Sequence, residues 1–370
     1  MLGEVQFAAI FSLVLMIIPL VTLLPHWVSE NKICNRSRWL MVAGLCVLLI
    51  HFVLQYILKF RAMGVIQAVT LNILMFIPAA TLIGLAILNL QRQGELKRRD
   101  WLVGLAAWIL TIVLIVWASS IDGQPLLAGS DQQKNAIQVA ACIYIIMQMY
   151  YSYTILRELR RMQLVLDDYY ASDHNTLLKW MKIAIVWLSL VSLLSPILIF
   201  MSKWVLFLYF WLIFTGLFYV WCCFTRYFIG RSVAFVGNAE ESAAEDIHHE
   251  QVAVDDNSCL PETNNRVEKA VEKWIADHGY LESGLTSPMA ASAMGIPRYL
   301  LTAWVKEKGY ESFTHWVTGL RIEEAKLVMK EHPDWSNESV ADHCGFSRTH
   351  FQKVFKKMTG LSPTQYINGI

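Results

Sequence analysis

Seven apolar stretches dominate the part of the chain that precedes residue 230. They cover roughly 4–25, 39–58, 65–90, 101–120, 136–156, 180–200 and 204–228. Each is about 20 residues or longer, which is the length that a helix needs to cross a hydrocarbon core about 30 Å thick. The pattern therefore predicts an all-α fold that begins with a polytopic membrane bundle of seven spans, residues 1–230. It also makes the lipid bilayer one partner of the chain.

Basic residues are distributed unevenly between the predicted loops. Fourteen Lys and Arg residues flank one side of the bundle, and four flank the other side. Because cytoplasmic loops are enriched in Lys and Arg, we expect the N-terminus outside and the C-terminus in the cytoplasm. The first apolar stretch lacks a basic leader region and a small-residue cleavage site, so we interpret it as a retained anchor rather than a signal peptide.

Ionisable residues are scarce inside the predicted spans, and no Asp or Glu lies in the middle of one. His51 and Gln55, one helical turn apart, form the most polar pair there and are our candidates for intramembrane sensing. A histidine in such a position more often joins two helices by a hydrogen bond. The scarcity of mid-span carboxylates argues against a proton-coupled transporter, and the sequence does not identify the stimulus.

The fifth apolar stretch continues beyond its apolar part with helical spacing. Leu156, Leu159 and Leu166 follow that spacing, and the continuation ends in the four residues 167–170, which are two aspartates and two tyrosines. Two interpretations stay open for Arg157–Ser172. It is either a helical extension into the cytoplasm that could relay a conformational change, or a solvated loop.

Acidic residues mark the segment that connects the two halves. Residues 231–265 hold eight carboxylates, and no Lys or Arg lies between Arg231 and Arg266. Such a segment cannot bury enough apolar surface to fold, so the composition predicts a flexible acidic linker. The seven cysteines form no CxxC pair, and the adjacent His248 and His249 do not share a helix face. We therefore expect no metal site and no cofactor.

Beyond residue 265 the pattern changes to amphipathic helices with an internal repeat at an offset of 50 residues. Ala291 and Gly295 in the first copy correspond to Ala341 and Gly345 in the second. The alanine allows two helices to cross closely, and the glycine supplies the positive φ that a sharp turn between helices needs. The repeat therefore predicts a soluble all-helical domain, residues 266–370, with two helix-turn-helix units.

The two units are predicted at about 285–309 and 336–358, and a helix over 312–331 joins them. An apolar pair three residues apart is predicted to form the buried stripe of the second helix in each unit: Leu301 with Trp304, and Phe351 with Val354. Residues suited to helix N-termini stand where these helices are predicted to start. Ser287 with Pro288 begins the first scaffold helix and Pro297 lies at the start of the first reading helix, while Ser336 or Asn337 caps the second scaffold helix and Ser347 caps the second reading helix.

The DNA-reading face is assigned to side chains that point away from these stripes. They are Arg298, Tyr299, Thr302, Ala303 and Lys306 in the first unit, and Arg348, Thr349, His350, Gln352, Lys353, Lys356 and Lys357 in the second. Arg and Gln form paired hydrogen bonds with guanine and adenine edges, whereas Lys more often neutralises phosphate. The alternative is a solvated face of a domain that docks a protein, because 13 basic residues against 12 acidic ones make the domain only weakly basic.

Several motifs in the C-terminal half carry a family resemblance. They are Leu320–Lys326, Ser339–Ser347, Phe351 with Val354–Lys357, Thr359–Pro363 and Tyr366. With these residues the chain resembles the AraC family of bacterial regulators over about 270–368. The resemblance implies a two-unit helical domain that binds double-stranded promoter DNA, often at direct repeats. The resemblance does not cover the membrane half. Because the regulators of this family are bacterial, we expect the membrane to be the cytoplasmic (inner) membrane of a bacterium and RNA polymerase to be a candidate partner.

The two halves together predict a membrane-anchored, sequence-specific DNA-binding transcription regulator that acts as a one-component sensor. The sequence contains no catalytic constellation, so we do not expect an enzyme. Two alternatives stay open: a membrane receptor or channel whose helical tail docks a protein partner, and a membrane-stored transcription factor released by proteolysis within the linker. Two reading units per chain allow binding as a monomer, and the membrane helices could equally pair in a homodimer.

Overall fold

The computed structural model describes residues 2–24, 28, 30–59, 64–123, 125, 130–171, 178–179, 181–187, 189–190, 203–229, 260–367 and 369. Within these ranges the regular structure is helical, apart from one isolated antiparallel bridge between Tyr170 and Thr286. The predicted all-α class is confirmed. The chain divides into two compact units. Unit 1 comprises Met1–Arg160 with Leu177–Val233, and unit 2 comprises Arg161–Thr176 with Ala234–Ile370.

Long apolar helices form unit 1. They are α1 (Leu2–Thr22), α2 (Lys32–Leu58), α3 (Val65–Gln91), α4 (Arg98–Asp122), α5 (Asp131–Tyr169) and α6 (Lys203–Ile229). Among the described residues, α1 to α5 contain five stretches long and apolar enough to cross a membrane, and α6 contributes a shorter apolar stretch, Trp211–Arg226. The predicted span 180–200 lies largely outside the described residues, so the count of seven spans stays a prediction.

Polar side chains join the helices of unit 1 at a few points. Asn89 of α3 donates its amide to Ser37 Oγ of α2 at 2.7 Å. Trp108 of α4 donates its indole N–H to the backbone carbonyl of Leu74 in α3 at 2.9 Å. A bilayer core contains no water that could form hydrogen bonds with these polar side chains. The bonds between helices therefore help to fix which helix faces lie together.

Helix α5 is longer than its apolar stretch. It runs for 39 residues, which corresponds to about 58 Å at 1.5 Å per residue and exceeds a hydrocarbon core of about 30 Å. Residues 157–169 are helical, so the solvated-loop interpretation is wrong for them, and Ser172 lies outside the described residues. That this extension lies in the cytoplasm and relays a conformational change stays a prediction. The extension from residue 161 onward belongs to unit 2.

A buried charge cluster ties the end of α3 to α4 and α5. The Arg92 guanidinium pairs with the carboxylate of Asp100, and its Nε donates to Glu158 Oε1 at 3.0 Å. Tyr150 donates its hydroxyl to Asp100 Oδ1 at 2.8 Å, and Tyr151 donates to the Asp100 backbone carbonyl at 2.6 Å. Asp100 is fully buried. The sequence had placed Arg92 in a cytoplasmic loop, whereas its side chain lies inside the bundle.

Seven further α-helices lie among the described residues of unit 2, together with a short 3-10 helix, Gly279–Leu281. The α-helices are α7 (Leu260–Ala276), α8 (Ser287–Met294), α9 (Arg298–Glu307), α10 (Phe313–Glu331), α11 (Asn337–His343), α12 (Arg348–Thr359) and α13 (Pro363–Ile367). Helix α7 begins at Leu260, inside the segment predicted to be a flexible linker up to 265, and the linker residues 231–259 lie outside the described residues. One apolar core lies among α7 to α10 and another among α10 to α12.

Candidate nucleic-acid interface

The two predicted turns have the same backbone geometry. Gly295 has φ +68° and Gly345 has φ +69°. In each turn the residue after the glycine donates its N–H to the repeat alanine: Ile296 to Ala291 at 3.1 Å in the first unit, and Phe346 to Ala341 at 2.8 Å in the second. The positive φ explains why glycine stands at both positions, since an L side chain is strained in that region.

Alanine substitution of the two glycines is expected to have unequal effects. A left-handed conformation costs about 1–2 kcal/mol for a non-glycine residue, so Gly295→Ala and Gly345→Ala share that loss. At Gly345 a Cβ would also lie 2.5 Å from the Leu281 carbonyl oxygen, whereas at Gly295 it would meet nothing within 4 Å. Hydrogen exchange of unit 2 amides in the full-length chain should show the larger loss of protection for Gly345→Ala. Equal losses would contradict the close approach.

The predicted apolar pair of each second helix packs against its core, and the residue after the pair is buried more deeply than the pair's second member. Leu301 and Val305 are buried in α9, and Phe351 and Phe355 are buried in α12. Trp304 and Val354, which the sequence paired with Leu301 and Phe351, are only half-buried. Each stripe therefore comprises apolar residues three and four positions apart, which share one face of a helix.

The predicted helix starts agree with the structure, since Ser287 is the first residue of α8 and Pro297, Ser336 and Ser347 occupy the N-cap positions of α9, α11 and α12. The Ser336 side chain accepts the N–H of Ser339 at the start of α11, as predicted. The first scaffold helix is capped by Thr286, which accepts from Met289, while Ser287 is already helical. Ser347 makes no capping side-chain hydrogen bond in α12.

Arg321 in the middle of α10 connects the two helix-turn-helix units. Its guanidinium is buried and donates to three backbone carbonyls: Tyr280 at 2.7 Å, Glu282 at 2.6 Å and Gly345 at 3.0 Å. Burial lowers the pKa of Arg321 to about 10, so it stays protonated at neutral pH. Near the same turn, burial raises the pKa of the Cys344 thiol to about 12 and keeps it unreactive.

The second reading helix presents most of its predicted side chains to solvent. Gln352, Lys353, Lys356 and Lys357 are exposed, and so is Arg348, which forms an exposed ion pair with Glu338 at 3.1 Å. His350 is half-buried, and its ring packs edge-on against Phe346 with the centroids 5.5 Å apart. The side chain of Thr349 lies outside the described residues. That these residues contact DNA stays a prediction.

The first reading helix has neighbours that the sequence did not assign. Arg298 donates its Nε to Ser287 Oγ at 2.7 Å, and its guanidinium lies 5.6 Å from the ring centroid of Tyr169. Lys306 Nζ lies 3.8 Å from the Asp168 carboxylate. Tyr299 and Thr302 are half-buried, and Ala303 is exposed. Asp168 and Tyr169 stand at the end of α5, where the sequence showed the acidic and aromatic cluster but not its partner.

The two candidate sensing residues in the membrane unit lie in helix contacts. Gln55 is buried and donates its amide to Asn72 Oδ1 at 3.0 Å. His51 is buried between the rings of Phe52 and Phe76, whose centroids lie 4.9 and 5.0 Å away. This placement joins α2 to α3, and a sensing role for the pair stays untested.

Comparison with known proteins agrees with this geometry. A family model described as "Helix-turn-helix domain" matches residues 290–369, which include both turns. The C-terminal domain is an AraC-type helix-turn-helix domain. The protein described as "Uncharacterized transcriptional regulatory protein YesN" of Bacillus subtilis (strain 168) is 39% identical over 72 residues. The aligned part is 19% of this chain and 19% of that relative, so the similarity concerns the AraC-type domain. No solved structure matches the chain.

The family and the relative both point to transcription regulation rather than to an enzyme. Helix-turn-helix domains bind double-stranded DNA by placing the second helix of the motif in the major groove. In this AraC-type domain those helices are α9 and α12, which the structure places after the two glycine turns.

Proposed function

We propose that the chain is a membrane-anchored transcription regulator that binds promoter DNA in a sequence-specific manner and responds to a stimulus in its membrane unit. The observation that carries the proposal is the exposed face of α12 in an AraC-type domain, with Arg348, Gln352 and Lys353 pointing away from the buried Phe351 and Phe355. Arg and Gln are suited to base edges, and Lys is suited to phosphate.

The helix between the units has a length that suits two successive grooves. Helix α10 has 19 residues, which gives about 28 Å at 1.5 Å per residue, close to the helical repeat of about 34 Å of B-DNA. One chain could therefore place α9 and α12 in adjacent major grooves, so dimerisation is not required for a two-site contact.

Membrane anchoring is supported by the outer surface of α4. Leu105, Ile109, Val113 and Val116 share one face of this helix, and each is about half exposed. A contiguous apolar face of this kind is unfavourable in water and suits lipid. The bias of basic residues toward one side of the bundle supports a cytoplasmic C-terminal side, where the AraC-type domain would meet DNA.

The stimulus is proposed to act within unit 1. An apolar cavity of about 130 Å³ is lined in part by Tyr144, Gln148 and Ile155 of α5, and by Trp187. The Gln148 side-chain oxygen and the Trp187 indole N–H are buried and have no hydrogen-bond partner among the described residues. The cavity would suit a small apolar molecule with one hydrogen-bonding group, since an apolar cavity of about 150 Å³ accommodates benzene.

In vitro selection tests the proposed DNA binding. The full-length chain in nanodiscs of uncharged lipid would be incubated with a pool of random DNA duplexes, and the retained duplexes sequenced. We expect an enriched motif, with affinity that falls steeply as salt rises. The variant Arg348→Ala/Lys353→Ala should bind the selected duplex at least about tenfold more weakly, because a base contact is worth about 1–3 kcal/mol.

The matched control is Lys326→Ala/Lys330→Ala, which removes two positive charges from α10 instead of from the reading helix. We expect this control to bind the selected duplex within about twofold of the wild type. Selection without an enriched motif, or equal losses in the two double variants, would overturn the assigned reading face. A chain with no salt-dependent DNA binding at all would favour the receptor whose tail docks a protein partner.

A further inference from the structure

The internal repeat gives each reading helix a stripe of three polar residues along one flank. In α9 they are Arg298, Thr302 and Lys306, and at the 50-residue offset in α12 they are Arg348, Gln352 and Lys356. Residues four apart lie nearly above one another on a helix. All three α12 residues are exposed. The α9 stripe differs, because both of its ends contact the terminal residues of α5.

Residues 167–171, here called the docking segment, are held against the first unit by hydrogen bonds of their backbone groups. Thr314, at the start of α10, directs its hydroxyl to the carbonyls of Asp167, at 2.7 Å, and Tyr170. Ala171 donates its N–H to the Leu285 carbonyl at 2.9 Å. The last carbonyls of a helix lack partners within the helix, so Thr314 supplies the hydrogen bonds that terminate α5. These contacts all lie within unit 2.

The side chains of the docking segment then engage the two cations of the α9 stripe. The Asp168 carboxylate lies 3.8 Å from Lys306 Nζ, and the Tyr169 ring lies under the Arg298 guanidinium at 5.6 Å. A carboxylate beside a lysine on the flank of a reading helix stands where a DNA phosphate would be neutralised. The phosphates of a duplex approaching α9 would meet the like negative charge of Asp168. The Tyr169 ring would lie against the Arg298 guanidinium.

We infer that the docking segment and the DNA backbone are mutually exclusive occupants of the Arg298–Thr302–Lys306 flank, so that α9 binds DNA only after the segment has left it. The inference rests on the DNA binding proposed above. The exposed face of α12 can bind DNA in either state, and release of the segment adds the second groove contact.

The contacts that hold the docking segment on the first unit are weak enough to suit a reversible switch. The Lys306 side chain is 59% exposed and the Asp168 side chain is 26% exposed, so water still reaches the 3.8 Å ion pair and its contribution is small. The buried part is small and consists mainly of Ala171 and Tyr170. A modest displacement of α5 would therefore suffice to release the segment. The same continuous helix lines the apolar cavity of unit 1 with Tyr144, Gln148 and Ile155.

A reversible disulfide tests the inference in a single polypeptide. Tyr170 and Thr286 form the antiparallel bridge between the docking segment and the first unit. Residues paired in this way have Cα atoms about 4.5–5.5 Å apart, within the range of about 4.4–6.8 Å that a disulfide accepts. In the full-length Tyr170→Cys/Thr286→Cys chain, oxidation should lock the segment on α9, and reduction should free it.

The measurement is anisotropy of a labelled random-sequence duplex titrated with that chain in nanodiscs of uncharged lipid. We expect the reduced form to bind about tenfold more tightly than the oxidised form, and its salt slope to be steeper by about 1–2, as for one or two further phosphate contacts. The wild type under the same oxidant and reductant controls for its seven native cysteines.

A second variant releases the segment without a disulfide. Asp168→Asn/Tyr169→Ala removes both side-chain contacts to α9 and should bind the random duplex more tightly than the wild type, with the steeper salt slope. The matched control Asp277→Asn removes the same single negative charge from an exposed position of unit 2 and should bind as the wild type does. Adding Lys306→Ala to the released variant should abolish most of the gain.

The outcomes separate this inference from the function on which it rests. Equal DNA affinity of the oxidised and reduced forms would overturn the occlusion and leave DNA binding intact. Weaker binding by the released variant would show that the segment is a structural part of the first unit, and would likewise overturn the occlusion. Binding of DNA by none of the chains would overturn the proposed function, and the occlusion with it.

Discussion

Replacing Arg321 with methionine is expected to destabilise the AraC-type domain by about 3–5 kcal/mol. Methionine keeps most of the buried volume but removes the donors of three hydrogen bonds, to the carbonyls of Tyr280, Glu282 and Gly345. A buried carbonyl that loses its partner costs about 1–3 kcal/mol, and the bond to Tyr280 is buried while the bonds to Glu282 and Gly345 are partly buried. Because two of these carbonyls precede the first unit and the third lies in the turn of the second, the loss should loosen both units together.

Hydrogen exchange on the full-length chain in detergent measures this effect. We expect protection of the amides in α8 to α12 to fall by about two orders of magnitude or more, as a local stability loss of about 3 kcal/mol requires. Lys330→Met, an exposed position on the same helix, controls for the loss of one positive charge and should leave protection unchanged. Unchanged protection in Arg321→Met would contradict the bridging role of this side chain.

Replacing Arg92 with alanine is expected to destabilise unit 1 by about 3–5 kcal/mol, because removal of one partner leaves buried charge uncompensated. Asp100 is fully buried and Glu158 is 8% exposed, and both carboxylates pair with the Arg92 guanidinium. The variant should unfold at lower temperature in detergent, as measured by the fluorescence of the tryptophans or by light scattering.

Two further variants identify why Arg92→Ala loses stability. Arg98→Ala removes a neighbouring exposed charge and should unfold as the wild type does. The triple variant Arg92→Met/Asp100→Asn/Glu158→Gln removes all the charges of the cluster, and it should recover part of the stability that Arg92→Ala loses. A triple variant less stable than Arg92→Ala would show that packing of the arginine, rather than its charge, supports the bundle.

The two helix-turn-helix units show which features can be predicted from local sequence patterns. Gly295 and Gly345 were placed correctly in sharp turns, because a positive φ at a fixed distance from a small residue is a local requirement. The depth of burial along the stripe was not predicted, since Val305 is buried more completely than Trp304, although both pack against the same core as Leu301. Which of two apolar neighbours is more deeply buried depends on the angle at which the helices cross, and a single helix does not encode that angle.

Contacts between distant parts of the chain were not predictable in the same way. The hydroxyl of Thr314 meets the carbonyl of Asp167 across 147 positions of sequence. Arg92 was counted among the basic residues of a predicted loop, yet its side chain is buried and its partner Glu158 lies 66 positions away. Nothing in the composition around either residue specifies the partner, because any nearby group of the right polarity would satisfy the same hydrogen-bonding capacity.

The sequence by itself determined that the chain is helical throughout its described parts, that long apolar helices precede a repeated helix-turn-helix domain, and that α12 offers a basic and amide-bearing face. These features follow from periodicity, length and turn chemistry, which act over a few residues. Only the tertiary structure decided that the end of α5 lies on α9, and that Arg321 joins the two units. These contacts depend on which polar groups the packing of distant segments brings together. A buried polar group without a partner costs free energy, and the whole fold decides which groups find partners.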